Sequence, residues 1–206
     1  MVTDCHTHDR RRHDAIISVA PTDFHPEEGC VYSVGIHPWL TDHRVDINQL
    51  AEAAAHPAVV AIGETGIDHL RGAATNEQKR IFESHIELSE RLRKPLILHV
   101  VKAVDEILAT RKAAKPRMPW IWHGYRGNAV MARQLTGKGI YLSLGERFNP
   151  QAAAAIDRDM LLLESDESEL TIAEIAERVA ASRNEPADAV LLTAARCLQR
   201  VMAYTV

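Results

Sequence analysis

The chain has few cysteines, few aromatic residues and no long apolar run. Its 206 residues include only three cysteines and 5% aromatic residues. The cysteines are odd in number and widely spaced, which predicts free thiols in a reducing compartment and hence a cytoplasmic location. No segment approaches the roughly 18 to 20 apolar residues of a membrane helix, and no apolar leader is present, so neither membrane association nor a signal peptide is expected. The net charge of −4 argues against a protein that coats nucleic acids.

Short apolar segments alternate with amphipathic segments along the chain. Strands are predicted at residues 2–6, 15–20, 31–36, 59–64, 95–99, 120–123, 140–144 and 160–165. Helices are predicted at residues 49–55, 76–93, 103–111, 129–136, 150–156, 172–182 and 186–202. This alternation predicts an α/β fold, a compact and distorted (β/α)8 barrel forming a single domain over residues 1–206. An open doubly wound sheet is the alternative, and the lack of a Gly-rich loop after the first strand disfavours it.

Residues that bind metals stand where the apolar strands end. Side chains alternate along a strand, so His6 and His8 point to the same face. Four further strands lead to the same kind of residue: Glu64, His99, His123 and Asp166. The carboxyl ends of barrel strands meet at one face, where barrel active sites lie.

Four imidazoles and two carboxylates are more ligands than one open catalytic ion needs. We therefore predict two divalent ions with a carboxylate between them, chosen from Zn, Mn, Fe, Ni and Mg, and the nitrogen-rich set favours the first four. A single strand-end histidine is more often a hydrogen-bonded core residue, so the prediction rests on the repetition over five strands. His85 falls inside a predicted helix beside Gln78 and Phe82, and we expect it to be buried.

Six segments, taken in order, resemble the TatD-type metal-dependent hydrolases. They are residues 4–8 (DCHTH), 34–38 (VGIHP), 62–68 (IGETGID), 94–99 (KPLILH), 123–127 (HGYRG) and 163–166 (LESD). The resemblance implies a barrel of the metallo-dependent hydrolase type that hydrolyses phosphodiester bonds in DNA, or related esters. It also implies that His6, His8 and Asp166 hold one ion. His99 and His123 would hold the other, and Glu64 would bridge.

Three positions depart from the pattern of that family. Ser165 stands where the family usually has Thr, and Val101 stands where it usually has Arg. Arg126 follows the sixth-strand histidine, in a segment that differs from the usual one. The chain is also shorter than typical members. We therefore expect the metal chemistry of the family to apply to this chain more directly than the family's DNase substrate does.

Several residues are assigned roles in catalysis and substrate binding. Asp166 is predicted to orient the attacking water and accept its proton, with Glu64 as the second catalytic carboxylate. Asp68 is predicted to hydrogen-bond a metal-bound histidine. Cations after the strands predict a positive mouth for an anionic phosphoester, for which a DNA 3′ end is a fitting substrate. These cations are Arg10, Arg11, Arg12, Arg71, Lys102, Arg126 and Arg147. Substrate contacts are assigned to Lys102, Arg126 and His37, the last of which could instead support a ligand of the site.

Two other classes of function remain open at this point. One is a different barrel metallohydrolase, of the amidohydrolase or PHP type, acting on another ester, an amide or a lactone. The other is a metal-binding protein without catalysis, which the full set of ligands disfavours. No oligomeric state is assigned.

Overall fold

The computed structural model describes residues 2–42 and 45–203. Its eight strands are β1 (Asp4–Thr7), β2 (Ala15–Val19), β3 (Val31–Val34), β4 (Val59–Asp68), β5 (Leu96–Val101), β6 (Trp120–Trp122), β7 (Ile140–Leu144) and β8 (Leu161–Leu163). Its seven α-helices are α1 (Ile47–Ala54), α2 (Thr75–Leu92), α3 (Val104–Ala114), α4 (Ala129–Thr136), α5 (Pro150–Ala155), α6 (Ile172–Arg183) and α7 (Ala187–Met202). Three short 3₁₀ turns lie at Pro21–Asp23, Pro38–Leu40 and Arg158–Met160.

The strands follow one another in sequence order, β1 to β8, within one sheet of parallel pairs. This is the strand order of a (β/α)8 barrel, so the predicted fold class is confirmed. Parallel strands are covered on both faces, and accordingly β5 to β8 are built from apolar runs such as Trp120–Trp122 and Leu161–Leu163. All three cysteines are buried and unpaired with one another. Among the described residues, no helix is long and apolar enough to cross a membrane.

The chain packs as two compact units. The terminal unit runs to Ile17 and resumes at Trp120–Ala203. In it β7 pairs with both β6 and β8, and the backbone of Asp166 bridges to Thr7 at the end of β1. Helices α4 to α7 belong to this unit, and α7 buries apolar side chains at helical spacing, among them Ala194, Leu198 and Val201.

The central unit comprises Ser18–Pro119. In it β4 pairs with both β3 and β5. Helix α2 packs on β4 and buries Phe82 and His85, which agrees with the burial predicted for that histidine.

The largest difference from the predicted elements is at β4 and β5. Both strands continue beyond the predicted ligands, to Asp68 and Val101, and the ladder between them pairs Thr65 with Leu98 and Gly66 with His99. A Cβ atom at Gly66 would overlap with the carbonyl oxygen of His99, so glycine is what permits the two backbones to approach there. Glu64 therefore lies within β4, with four more strand residues after it.

Smaller differences at helix ends follow from capping. Helix α1 begins earlier than predicted because the Asp46 carboxylate accepts hydrogen bonds from the backbone N–H groups of Asn48 and Gln49. Helix α3 continues beyond its predicted end to Ala114. It stops there because the next residue, Lys115, adopts a left-handed conformation.

Candidate metal centre

The terminal unit brings three of the predicted ligands together, and we call His6, His123 and Asp166 the terminal cluster. Their ligand atoms all lie within 4.8 Å of one another. The ring centroids of His6 and His123 are 4.2 Å apart, and His6 Nε2 lies 3.6 Å from Asp166 Oδ1. His8 adds a second imidazole on the same carboxylate, with its Nε2 3.7 Å from Asp166 Oδ1. The strands β1, β6 and β8 therefore deliver an imidazole and carboxylate set of the kind that transition metals prefer.

The backbone fixes Asp166 in a strained conformation. Its φ is 54°, in the left-handed region that few side chains other than Asn and Asp adopt. The Asp166 N–H donates to the carbonyl of His6 at 3.0 Å, and the Asp166 carbonyl accepts from His8 N–H at 3.2 Å. These backbone bonds hold residue 166 beside His6 in β1 and His8, which follows the strand.

A buried carboxylate, Asp4, holds β1 and the end of β8 together. It accepts the Ser165 hydroxyl at 2.6 Å and the backbone N–H groups of Ser165 and His6, each at 3.1 Å. Burial raises the pKa of Asp4 to about 6, against the hydrogen bonds that lower it. Ser165 keeps the hydroxyl that this contact uses, so the departure from the usual Thr leaves the hydrogen bond in place. Asp4 thereby positions both His6 and Asp166.

Glu164 is a residue of this site that the sequence interpretation missed. It is fully buried, and its Oε1 accepts the Gly124 N–H at 2.6 Å and lies 3.4 Å from His123 Nδ1. A carboxylate beside a ligating imidazole orients the ring and strengthens its basicity. The available signal was an acidic residue that ends the apolar run Leu161–Leu163.

The central unit gathers a second set, and we call His37, Glu64 and His99 the central cluster. Glu64 Oε1 lies 2.8 Å from His99 Nδ1 and 3.1 Å from His37 Nε2. The ligand atoms of all three lie within 4.8 Å of one another. His37, predicted to contact the substrate or to support the site, has its ring beside the carboxylate of Glu64.

Hydrogen bonding fixes the roles of the two imidazoles in the central cluster. His37 Nδ1 accepts the Trp39 N–H at 3.1 Å, so the neutral ring carries its proton on Nε2, which donates to Glu64. His37 is therefore suited to orient Glu64. His99 Nε2 lies 3.1 Å from Asp68 Oδ2, so Nδ1, beside Glu64, is the nitrogen that could be offered to a metal ion.

The Asp68 carboxylate has a further partner in Trp39. The indole Nε1–H of Trp39 donates to Asp68 Oδ2 at 2.6 Å, and the Arg71 guanidinium stacks 4.3 Å above the indole ring. Asp68 is thus held from two sides, by an indole and an imidazole. The carboxylate contact predicted for a histidine of the site is made to His99.

The other predicted substrate residues are exposed. Lys102 follows β5 with a φ of 55°, and Arg126 follows β6 and lines a cavity that also contains Asp166. Arg11 and Arg12, part of the predicted cationic mouth, form ion pairs with Asp9 and Asp14. Their charges are largely balanced within their own loop.

The buried His85 holds the segment that leads to His37. Its Nδ1–H donates to the Ile81 carbonyl at 2.7 Å, and its Nε2 accepts the Ile36 N–H at 2.9 Å. Burial lowers the pKa of His85 to about 4. The ring is therefore neutral in the folded chain at pH values where an exposed histidine is already protonated.

This lowered pKa predicts a loss of stability in mild acid. Between about pH 6.5 and pH 4 the unfolded chain binds a proton at residue 85 that the folded chain does not, so stability falls as pH falls. Between about pH 7 and pH 5 we expect this histidine to cost about 2 kcal/mol of unfolding free energy. Urea unfolding of the wild type and of His85→Gln at both pH values tests this. The raised pKa of Asp4 acts in the opposite direction in both proteins, so it cancels in the comparison. Parallel pH profiles for the two proteins would contradict the assignment.

Comparison with known proteins identifies the family. A profile described as TatD related DNase matches residues 5–202. The chain is 32% identical over 174 residues to the 3′-5′ ssDNA/RNA exonuclease TatD of Cronobacter sakazakii, covering 77% of this chain and 65% of that protein. It is 34% identical over 154 residues to the uncharacterized metal-dependent hydrolase TatD of Mycobacterium tuberculosis, covering 68% of this chain and 58% of that protein. The chain thus spans about three fifths of the length of these curated relatives.

Solved structures show the same fold. The TatD homologue YjjV of Escherichia coli K12 superimposes with a TM-score of 0.80 at 21% identity, covering 91% of this chain and 85% of that one. A TatD family hydrolase of Entamoeba histolytica gives a TM-score of 0.72 at 15% identity, covering 83% of this chain and 74% of that one. At these low sequence identities the structural similarity establishes only the barrel fold. The sequence matches establish the family to which the chain belongs. The chain belongs to the TatD related DNase family.

Proposed function

We propose that the chain is a metal-dependent hydrolase that cleaves phosphodiester bonds, either at the ends of nucleic acids or in small phosphoesters. The observation that carries the proposal is the presence of an imidazole and carboxylate cluster in each unit. Membership in a family whose relatives include a named 3′-5′ exonuclease supports a nucleic-acid substrate. The amidohydrolase and PHP alternatives have no comparable support.

We propose two divalent ions for this chain. His6, His8, His123 and Asp166 offer ligands from the terminal unit, and Glu64 and His99 offer them from the central unit. When bound, such ions supply Lewis-acid activation of water and of phosphoryl oxygens. The bridging role of Glu64 and the division of ligands between the ions stay predictions of the family resemblance. So does the cytoplasmic location predicted from the thiols.

The protein's own residues supply orientation and proton acceptance. The Asp166 carboxylate is held by backbone bonds at the terminal cluster, where it can accept a proton from the attacking water. His37 and Asp68 keep Glu64 and His99 in fixed orientations. Glu164 does the same for His123.

Removal and return of metal tests the proposal. We expect metal-stripped protein to be inactive on bis-p-nitrophenyl phosphate and on a 3′-labelled single strand, and to regain activity with Mn, Zn, Ni or Mg. Metal analysis of the active protein should give two ions per chain. One ion per chain would overturn the binuclear proposal. Hydrolysis of amides or lactones alone, with two ions bound, would favour the amidohydrolase class.

A further inference from the structure

Two cavities of the terminal unit share Arg126 and Arg147 in their linings. The inner cavity has a volume of about 170 Å³ and reaches Glu164 and Asp166. The outer cavity is open, with a volume of about 530 Å³, and is lined by Arg126, Arg147, Phe148, Asn149, Pro150 and Gln151. The inner cavity, which contains Asp166, therefore has an open depression beside it that shares its two arginines.

The two cavities differ in charge. The inner one is lined by the carboxylates of Glu146, Glu164, Asp166 and Glu167 beside the two shared arginines, whereas the outer one is lined by the same arginines and no carboxylate. Within the described part of the chain, neither Arg126 nor Arg147 has a carboxylate in ion-pairing distance. The Glu146 carboxylate instead accepts a hydrogen bond from the Ser168 hydroxyl at 2.9 Å and lies 3.9 Å from the Arg178 guanidinium. The inner lining thus has an excess of carboxylates, and the outer one suits an anion such as a phosphate, whose oxygens guanidinium groups bind.

The outer cavity also offers a flat apolar face. Phe148 is half-buried and lines this cavity together with Pro150, so part of its side chain is accessible there. Asn149 cannot swing away, because its side-chain oxygen caps α5 by accepting the Gln151 N–H at 2.9 Å. An aromatic ring next to two guanidinium groups and two amides is the combination that binds unpaired nucleotides.

We propose that the outer cavity is a nucleotide subsite, in which Phe148 stacks on a base and Arg126 and Arg147 bind the phosphate next to the scissile one. This inference rests on the proposed function and narrows it. The substrate class becomes a single-stranded nucleic acid end, and a small phosphoester without a base leaves the subsite empty. Arg126, a departure from the family pattern, here becomes a specificity-determining residue.

Binding of a base-free strand separates this subsite from the chemistry. A labelled single-stranded hexanucleotide and the same strand with abasic residues at its two 3′-terminal positions are titrated into the full chain with EDTA, so that binding is read without hydrolysis. The wild type should bind the abasic strand about 10-fold more weakly. Phe148→Leu, which keeps apolar bulk but no aromatic face, should bind both strands alike.

The salt dependence of binding tests the two arginines. Arg126→Ala and Arg147→Ala should each weaken binding and flatten its salt dependence, lowering the slope of log Kd against log salt by about 0.7 for each phosphate that the variant no longer neutralises. Arg133→Ala on α4 removes an equal charge from an exposed helix face and should leave both quantities unchanged.

The outcomes distinguish the subsite from the proposed function. Equal binding of the two strands by the wild type overturns the subsite, even if metal-dependent hydrolysis is observed. Base-dependent binding that Phe148→Leu abolishes supports the subsite, even in a preparation that hydrolyses nothing. If Arg133→Ala flattens the salt dependence as much as Arg126→Ala, the charge effect is general and the phosphate contact is refuted.

Discussion

Asp166→Asn is expected to lower kcat for metal-dependent hydrolysis by at least about 100-fold, since changes to residues that merely support a metal ligand already cost 10- to 100-fold. The amide keeps the size of the carboxylate but neither its charge nor its capacity to accept a proton. Asn tolerates the left-handed φ of 54° at this position, so the backbone bonds to His6 and His8 should survive. The measurement is steady-state hydrolysis beside a thermal unfolding curve, which should show a folded protein.

Glu64→Gln is expected to cause a loss of the same order. The substitution removes the charge at the centre of the central cluster while keeping an oxygen for the His37 Nε2–H. Glu169→Gln is the matched control, because Glu169 is an exposed carboxylate near Asp166 in sequence, and its activity should stay within about twofold of the wild type. Near-normal activity in either site variant, with the control also normal, would remove that residue from the catalytic set.

Gly66→Ala is expected to cost about 3 kcal/mol or more of unfolding free energy and to displace His99. Gly66 has a φ of 144°, a conformation essentially confined to glycine, and the added Cβ would overlap with the His99 carbonyl oxygen. Relief requires β4 and β5 to separate beside a predicted ligand. Chemical denaturation measures the stability, and metal content measures the effect on the central cluster.

Gly124→Ala is the matched control for backbone strain. Gly124 also has a positive φ, of 58°, but a Cβ there would make an ordinary contact of 3.5 Å with Glu164 Oε1. We expect a cost of about 1 to 2 kcal/mol, the usual penalty of the left-handed region for alanine. Equal losses for the two variants would show that strain alone, and not the close approach of β4 and β5, accounts for Gly66.

Most of the candidate ligands stand out in the sequence because a polar residue interrupts or ends an apolar run. Glu64, His99 and His123 have this local signal, whereas Asp166 comes two residues after Glu164 has ended the run Leu161–Leu163. The order of strands and helices follows from the same alternation, since parallel strands buried on both faces leave continuous apolar segments. The fold class was therefore accessible without coordinates, and the role of these residues as metal ligands stays a prediction.

Apart from the Asp68 contact, the supporting contacts could not be predicted because they join residues that are distant in the chain. Nothing in the alternation along β1 indicates that Asp4 meets Ser165, or that His37 orients Glu64. The extension of β4 was missed for a different reason. Gly66 reads as the end of a strand, and only its close approach to His99 shows that it continues one.

The hydrogen bonds between Asp4 and Ser165 have a consequence for the synthesis and folding of the protein. The two residues are separated by 161 positions, so His6 and His8 can meet Asp166 only after the long segment between them has been synthesised. Until then a nascent chain carries both histidines without this carboxylate, and closing so long a loop is entropically slow. Any metal ion that the terminal cluster holds would therefore be captured only after this loop has closed. A chain truncated before residue 166 would lack the carboxylate that we propose as the proton acceptor.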